Sequence, residues 1–396
     1  MLVGCLAAAE TEATEEVLFK GFPLRPWADL QGSDAAFEFH PLAALGTGGD
    51  SNPRQSPSGS NDTWAQGTVG LQARSLGSEG GDLVLGFELG RKLYAETSDR
   101  NATTYDGSIA GTWRGTTAQG QIAASWVRDD APVRAFPEST LRDQQDASAT
   151  TSVDFRRWRL SGNLSVVRTD YLESTPHFSD VDQDTLRAGA SVEPALLGAD
   201  RSLLGLRVGA GQTWRPDDAS RSGGWDAAAE VHWRHVLAER STLDLLAGGQ
   251  LRVYQDATAG DATNSDDQIT AATIHAVLTW PWEEGSQVVL SIGQGLEDGT
   301  SANAATALDA MIEGRLRLAD RWSATLLAAR WRTEDSGAVS PAGREHLNGR
   351  RCRLASQYLL RQGLGLRAYG EYSAIDATVG DSWERWYAGI ELAASL

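Results

Sequence analysis

A two-residue alternation of apolar with polar or small side chains is the feature that most restricts the fold. From residue 36 onward it recurs in runs of about 10 to 14 residues. In the run DLVLGFELGRKLY, residues 82–94, the leucines and Phe87 occupy one face and Glu88 the other. Successive side chains of a β-strand point to opposite faces, so this period predicts strands with one apolar face. Helical periodicity does not extend over comparable lengths.

The connections between these runs alternate between short and long. Short connections are predicted near 76–81, 115–117, 157, 195–201, 238–241, 282–286, 319–321 and 361–362. Long polar connections are predicted near 47–61, 95–101, 129–143, 172–183, 215–223, 255–266, 297–304, 334–344 and 375–381. Together they join about 18 strands, with 16 as the alternative, and an even number returns both chain ends to the same side.

Composition then indicates which kind of sheet these strands can form. Hydrophobic residues make up 41% of the chain and the mean hydropathy is −0.33, and no apolar run approaches the roughly 18 residues that a spanning helix needs. A sheet survives in lipid only when it is closed, because every backbone amide must be paired there. The predicted fold is all-β, a closed antiparallel transmembrane β-barrel with short periplasmic turns and long extracellular loops. A secreted β-sandwich or β-helix would not explain the alternation of loop lengths.

The tryptophans support a barrel in a membrane. Interfacial belts place indole rings near strand ends, where the ring is buried and its N–H is hydrogen-bonded. The chain has 14 Trp, and most lie near the ends of predicted strands. The predicted girdle residues are Trp64, Trp113, Trp126, Trp158, Trp214, Trp225, Trp233, Trp280, Trp322, Trp331 and Trp386.

The opposite strand faces carry charges of both signs, which suits a water-filled interior. The predicted pore-lining residues are Glu88, Arg159, Arg207, Glu230, Arg234, Asp244, Arg252, Glu313, Arg315, Arg367 and Glu371. Mixed sign suits a polar solute or a loosely selective channel, and the arginines favour anions. A charge network that stabilises the wall and selects nothing is the alternative. The longest loops, near 47–61 and 129–143, are the candidates for a constriction.

The last strand, WERWYAGIELAASL at residues 383–396, alternates up to its final residue. The chain therefore resembles bacterial outer-membrane β-barrel proteins of porin type, whose last strand is an alternating signal for the barrel-assembly machinery. In that family the final residue is usually Phe, whereas here it is Leu396. The resemblance covers residues 36–396 and implies the outer membrane, with lipid and lipopolysaccharide as surroundings.

The segment GTGGDSNP, residues 46–53, is similar to the Asp-Ser-Asn element that follows the first strand of some β-barrel porins. Asp50 and Asn52 would order a loop or hold a cation. Ordinary turn chemistry explains the same residues.

The N-terminal residues suggest export. MLVGC fits a lipobox with Cys5 as the lipidated residue, and CLAAAE fits a secretory signal cleaved after Ala9; a merely apolar start is the third reading. We assign 1–9 to a signal-peptide remnant and 10–35 to a periplasmic lead or plug. Residues 36–396 form the transmembrane barrel.

Several classes of function are disfavoured. The net charge of −18 and the lack of a basic stripe argue against nucleic-acid binding. The two cysteines, Cys5 and Cys352, form no metal-binding or redox motif and there is no haem attachment sequence, so no cofactor and no metal are expected. None of the six His has a Ser or Asp at a spacing that marks a catalytic site, so no enzymatic activity is expected.

Three functions remain. The first is a porin-like channel for passive or weakly selective diffusion of small polar solutes. The second is an export or secretion pore, for example for polysaccharide, working with periplasmic partners. The third is a structural or adhesive barrel that acts through its outer loops. A periplasmic or cytochrome partner is left open.

Overall fold

The structure of the protein is a computed structural model. It describes residues 37–395 except 56, 76–80, 130–140, 156–157, 173–182, 195–201, 215–223, 239, 255–267, 283–284, 298–301, 340–345, 362 and 379–381. The proposed signal remnant and lead segment, Cys5 among them, lie outside these residues. So do Leu396 and nearly all of the 129–143 loop.

Eighteen antiparallel strands form a single closed sheet. In chain order they are β1 Phe37–Asp50, β2 Asp62–Ser75, β3 Gly81–Tyr94, β4 Ala102–Arg114, β5 Ala118–Asp129, β6 Arg142–Phe155, β7 Trp158–Tyr171, β8 Gln183–Pro194, β9 Ser202–Trp214, β10 Gly224–Val236, β11 Thr242–Tyr254, β12 Gln268–Pro281, β13 Gln287–Glu297, β14 Ala302–Ala319, β15 Trp322–Val339, β16 His346–Arg361, β17 Leu364–Ala377 and β18 Trp383–Ser395. Each strand pairs with its neighbours in sequence, and β1 also pairs with β18, which closes the barrel. This confirms the predicted fold and the count of eighteen rather than sixteen.

The alternation in the sequence becomes the two faces of the wall. On β3, Leu85, Phe87 and Leu89 point outward, and Phe87 and Leu89 are strongly exposed. The intervening Glu88 and Lys92 point inward, and Lys92 is buried. Large exposed hydrophobic side chains occur on every strand of the described wall except β11. An apolar outer surface on a closed sheet is what a bilayer requires, because lipid then meets no unpaired backbone group.

The connections alternate in the predicted order, but the extents of some long loops are wrong. Residues 47–50, predicted as part of a loop, belong to β1. The long loops predicted near 297–304 and 334–344 are wrong in extent, because β14 and β15 each run for 18 residues. Ladder pairing continues from Ala319 and Trp322 at the periplasmic turn up to Ala302 and Val339. β13 therefore ends at Glu297 with β14 beginning at Ala302, and β15 ends at Val339 with β16 beginning at His346. A short 3-10 helix, Ser98–Arg100, lies in the β3–β4 loop. Among the described residues, no helix is long and apolar enough to cross a membrane.

The barrel closes at a seam between β1 and β18, and the Asp-Ser-Asn element lies at its extracellular end. Ser51 N–H donates to the carbonyl of Trp386 (2.8 Å) and Trp386 N–H donates to the Ser51 hydroxyl (2.7 Å). The Asn52 amide donates to the carbonyl of Glu384 (3.0 Å). These bonds continue the β1–β18 ladder beyond Asp50. The element therefore orders a loop, as one of the sequence alternatives had it.

Candidate functional site: the inner wall of the barrel

Most of the predicted girdle residues are placed on the outer face. Trp113, Trp126, Trp158, Trp214, Trp225, Trp280, Trp322 and Trp386 are all exposed there, and Trp233 is half-buried beside His235. Three of these indoles lie near outward-facing glycines or small polar groups that accommodate them. A Cβ at Gly107 would overlap the Trp126 ring and one at Gly120 the Trp113 ring, while Trp322 donates its indole N–H to the Ser356 hydroxyl at 2.6 Å.

Two of the girdle assignments are wrong. Trp64 pairs with Gly48 on the inward register and only 2% of its side chain is exposed. Trp331 pairs with Asp309 and Gly349 on the inward register and packs against Leu347, Ile375 and Trp383. The sequence shows only that these tryptophans are near strand ends. The face that each tryptophan occupies depends on the strand register, and a shift of one residue moves the side chain to the other face.

The register places every predicted pore-lining residue on the inward face. The predicted residues at inward positions are Glu88, Arg159, Arg207, Glu230, Arg234, Asp244, Arg252, Glu313, Arg315, Arg367 and Glu371. They are not gathered into one patch but are distributed over β3, β7, β9–β11, β14 and β17. Several are engaged in ion pairs along the wall: Arg159 with Asp154 (2.8 Å), Arg234 with Asp244 (2.6 Å) and Arg315 with Glu313 (3.1 Å).

An aromatic and cationic patch covers the inner wall on both sides of the seam. Trp64 stacks on Tyr387, with ring centroids 5.2 Å apart, and on Tyr369 at 6.4 Å. The Lys92 ammonium lies 4.6 Å from the Tyr387 ring centroid and 5.7 Å from that of Trp64. We refer to Trp64, Tyr369 and Tyr387, with the adjoining Lys92, Tyr94, Arg353, Arg367 and Arg385, as the seam patch.

Three arginines of the seam patch stand over its rings. Arg353 and Arg367 lie 5.9 and 5.5 Å from the Tyr369 ring centroid, and Arg385 lies 5.1 Å from that of Tyr387. Aromatic faces attract cations by their quadrupole, so the rings hold these side chains in fixed positions. The patch therefore presents ordered positive charge to the barrel interior.

Glycines make this packing geometrically possible. In register, Tyr369 pairs with Gly389, Gly389 with Gly48, and Gly48 with Trp64. A Cβ at Gly389 would lie 2.6 Å from Trp64 Cζ2 and 2.9 Å from the Tyr369 hydroxyl. The Trp64 indole therefore lies across two glycines of neighbouring strands. At Gly389 the missing side chain makes room for an aromatic ring and does not widen the bore.

Carboxylates anchor the seam patch to the wall. The side chain of Asp50 is fully buried, accepting hydrogen bonds from Arg385 (2.6 Å) and the Tyr94 hydroxyl (2.9 Å). Glu371 pairs with Arg351 at 2.8 Å, and the Tyr369 hydroxyl donates to Glu391 at 3.3 Å. Both Asp50 and Glu371 thus compensate arginines, so the patch is not a bare cluster of like charges.

A second network lies on β8–β11. His232, 2% exposed, has its Nδ1 3.0 Å from Glu193 and its Nε2 3.1 Å from Asp244. Asp244 also accepts a hydrogen bond from Arg234. His232 pairs in register with Gly205, and a Cβ at Gly205 would lie 2.6 Å from Glu193 Cγ. The glycine lets the Glu193 and His232 side chains meet over it. No spacing in the sequence could show this contact, because the carboxylates come from separate strands.

An apolar cluster narrows the interior toward the extracellular end. Leu347, Ile375 and Trp383 are almost fully buried, with Trp331 and Ala377 packed against them. Elsewhere at this end, the backbone N–H of Leu296 on β13 donates to the side chain of Gln250 on β11 (3.2 Å). We refer to Leu347, Ile375, Trp383 and Trp331 as the mouth cluster. Alternation within single strands does not reveal this cluster, because its members come from β15, β16, β17 and β18.

One serine–histidine pair appears where spacing did not indicate it. Ser202 and His235 are register partners on β9 and β10, and the hydroxyl lies 2.7 Å from His235 Nδ1. Both side chains are on the outer face near the periplasmic end. His235 also stacks on Trp233 at 5.4 Å. Within the described residues no carboxylate contacts the ring, so the pair has the contacts of an interfacial His and not of a catalytic triad. The described residues also contain no group of three or more His, Cys, Asp or Glu placed to hold a metal ion.

Comparisons with solved structures identify the architecture. OpdQ of Pseudomonas aeruginosa aligns with a TM-score of 0.50 and 10% identity, over 90% of this chain and 99% of OpdQ. The chain has the fold of an outer-membrane porin. OccK2 (OpdF) of the same organism, solved in complex with glucuronate, aligns with a TM-score of 0.47 and 13% identity, over 92% and 99% of the two chains. No protein-family model and no curated protein matches the sequence.

The porin-like fold and the apolar outer surface together give the location. A closed sheet with lipid-facing leucine, isoleucine and tryptophan belongs in a bilayer. Barrels of this architecture occupy the bacterial outer membrane. The chain is accordingly an outer-membrane barrel with its long loops extracellular.

Proposed function

We propose that the protein is a diffusion channel for small polar solutes, with a preference for solutes that carry an anionic group. The observation that carries this proposal is the seam patch, in which Lys92, Arg353 and Arg367 are held over aromatic rings on the inner wall. Barrels of this size enclose an aqueous bore unless it is filled. Several inward charges elsewhere form local pairs of opposite sign, whereas the seam patch gathers cations over aromatic rings, so we assign the discrimination between solutes to it.

The patch suits transient binding. Aromatic faces contact the apolar part of a solute, while the neighbouring cations attract a carboxylate or phosphate. Conduction requires binding that is favourable enough for entry and weak enough for release. Cations already shared with Asp50, Glu371 and Glu391 attract an anion less strongly than bare ones would, which favours weak selectivity.

Lys92 and Arg91 provide a matched test on one strand. Lys92 is inward and buried, whereas Arg91 is outward and bonds Thr103 (3.0 Å). Single channels would be recorded in planar bilayers across a salt gradient. We expect Lys92→Gln to shift the reversal potential toward cation preference, because it removes one positive charge from the bore. Arg91→Gln should leave the potential unchanged.

The outcomes separate the three functions. Open channels whose selectivity is unaffected by Lys92→Gln would contradict selection at the seam patch and leave a nonselective pore. Absence of conductance from protein shown to be folded by heat-modifiable gel mobility would contradict the channel and favour a closed structural barrel. Conductance that needs an added periplasmic partner would favour an export pore.

A further inference from the structure

The outer surface carries an apolar groove across β11–β15. It has a volume of about 580 Å³, within the size range of small-molecule sites. Its outward-facing lining includes Leu278, Leu290, Ile292, Ala310, Ile312 and Ala328. Alanines form low points between larger aliphatic side chains, so the lipid-facing surface has a cleft here.

A row of register partners leads from this groove to two arginines. Ile292 pairs with Ala310, Ala310 with Arg330, and Arg330 with Arg350. Arg330 also lines the groove. All these side chains point outward, so the cleft is apolar along its length and positively charged at one end.

The charge at that end is only partly compensated. Like charges directly opposite each other across two strands are destabilising. Arg350 pairs with Glu384 at 3.1 Å and lies 5.4 Å from the Tyr372 ring centroid. Arg330 is exposed, and in the described part of the chain no carboxylate forms an ion pair with it. The pair is therefore suited to an anion from outside the protein.

The height of the arginines indicates which leaflet supplies that anion. β15 begins at the periplasmic side with Trp322, and Arg330 lies eight residues further along the strand. At about 3.3 Å per residue and a tilt of about 40°, this places Arg330 about 20 Å above Trp322, near the extracellular edge of a band about 25 Å tall. Tyr372 and Trp386, whose rings pack at 4.6 Å, lie beside Arg350 at the same edge.

We propose that this surface binds one lipopolysaccharide molecule of the outer leaflet, with a lipid A phosphate on Arg330 and Arg350 and an acyl chain in the groove. Guanidinium groups bind phosphate by bidentate, charge-assisted hydrogen bonds. The groove offers the chain apolar contact on both sides. Charge complementarity at the level of the outer headgroups favours this occupant over a second copy of the barrel, for which the paired arginines would be repulsive.

The test measures lipid binding and needs no channel activity, so its failure is distinguishable from failure of the proposed function. Purified barrel in detergent would be titrated with diphosphoryl lipid A, and the retained lipid measured by native mass spectrometry. We expect Arg330→Gln with Arg350→Gln to weaken binding by about tenfold or more, as for loss of charge-assisted hydrogen bonds. The double variant Arg91→Gln with Arg168→Gln, two other outward-facing arginines, should bind like the parent.

A second variant tests the groove separately from the charge. Ala310→Trp would fill the cleft without altering the arginines, and it should lower lipid A retention while the barrel remains folded by heat-modifiable mobility. Unchanged retention in either variant would overturn the proposal. Equal retention of phosphatidylglycerol in place of lipid A would assign the site to anionic phospholipids in general. Dimers that disappear with Ala310→Trp would assign the groove to a second copy.

Discussion

At the residue scale, the inner wall depends on glycines that lie beneath side chains of neighbouring strands. Gly389 is covered by Trp64, Gly205 by Glu193, and Gly293 by His275 and Asp309. At Gly389 the missing Cβ leaves room for aromatic rings. At Gly205 and Gly293 it lets side chains from the two flanking strands meet over the glycine. Inward glycines therefore do not simply widen the bore; they permit contacts along the wall.

Gly389 and Gly370 give a matched pair for this idea. A Cβ at Gly389 would contact Trp64 and Tyr369 closely, whereas a Cβ at Gly370 would meet nothing within 4 Å. We expect Gly389→Ala to lower the free energy of unfolding by about 1–3 kcal/mol, the usual cost of overpacking. Gly370→Ala should be neutral or slightly stabilising. Urea unfolding of the barrel in lipid vesicles measures both, and equal behaviour of the two variants would contradict the packing argument.

At the element scale, β1–β18 is the one strand pairing of the described wall that joins the first strand to the last. Its extracellular end is held by Asp50 with Arg385 and by the bonds of Ser51 and Asn52 to β18. A nearby ion pair links the β1–β2 loop to the β3–β4 loop, where Arg54 donates a hydrogen bond to Asp99 at 2.8 Å. That hydrogen bond holds the pKa of the exposed Asp99 carboxyl below its usual value.

The seam pair should matter far more than an exposed pair of the same type. Asp50→Asn leaves the buried Arg385 without its counter-charge, and we expect the free energy of unfolding to fall by about 3 kcal/mol. Asp154→Asn, which removes the exposed partner of Arg159, should have no measurable effect. Thermal loss of the compact gel form reports both changes. A loss at Asp154 as large as that at Asp50 would disprove a special role of the seam.

At the scale of the whole molecule, the barrel is not a uniform tube. β14 and β15 extend past their neighbours, and the side chain of Gln250 on β11 accepts a hydrogen bond from the backbone of Leu296 near the end of β13. The mouth cluster occupies the interior along β15–β18 at the same end. The cross-section at the extracellular mouth is therefore set by strand residues as well as by loops.

Trp383 and Trp386 test this on opposite faces of one strand. Trp383 is inward and 4% exposed, whereas Trp386 is outward and 63% exposed. We expect Trp383→Ala to raise single-channel conductance, because it removes an indole from the mouth. Trp386→Ala should change membrane anchoring without altering conductance. A conductance that is the same for Trp383→Ala and the parent would show that the mouth cluster does not limit flow.

The existence and number of the strands, the apolar outer face and the inward position of the predicted charged residues follow from the sequence alone, whereas the ends of β14 and β15 do not. The sequence determines the strands and their faces because a closed sheet in lipid forces a period of two on every strand, and this local rule is visible in any single run such as residues 82–94. Tertiary structure decided which side chains meet. Trp64 and Trp331 point inward because of the strand register. Glu193 contacts His232 because the strand between theirs has a glycine, Gly205, at that position. The register and the residue on the intervening strand are not properties of one strand's sequence.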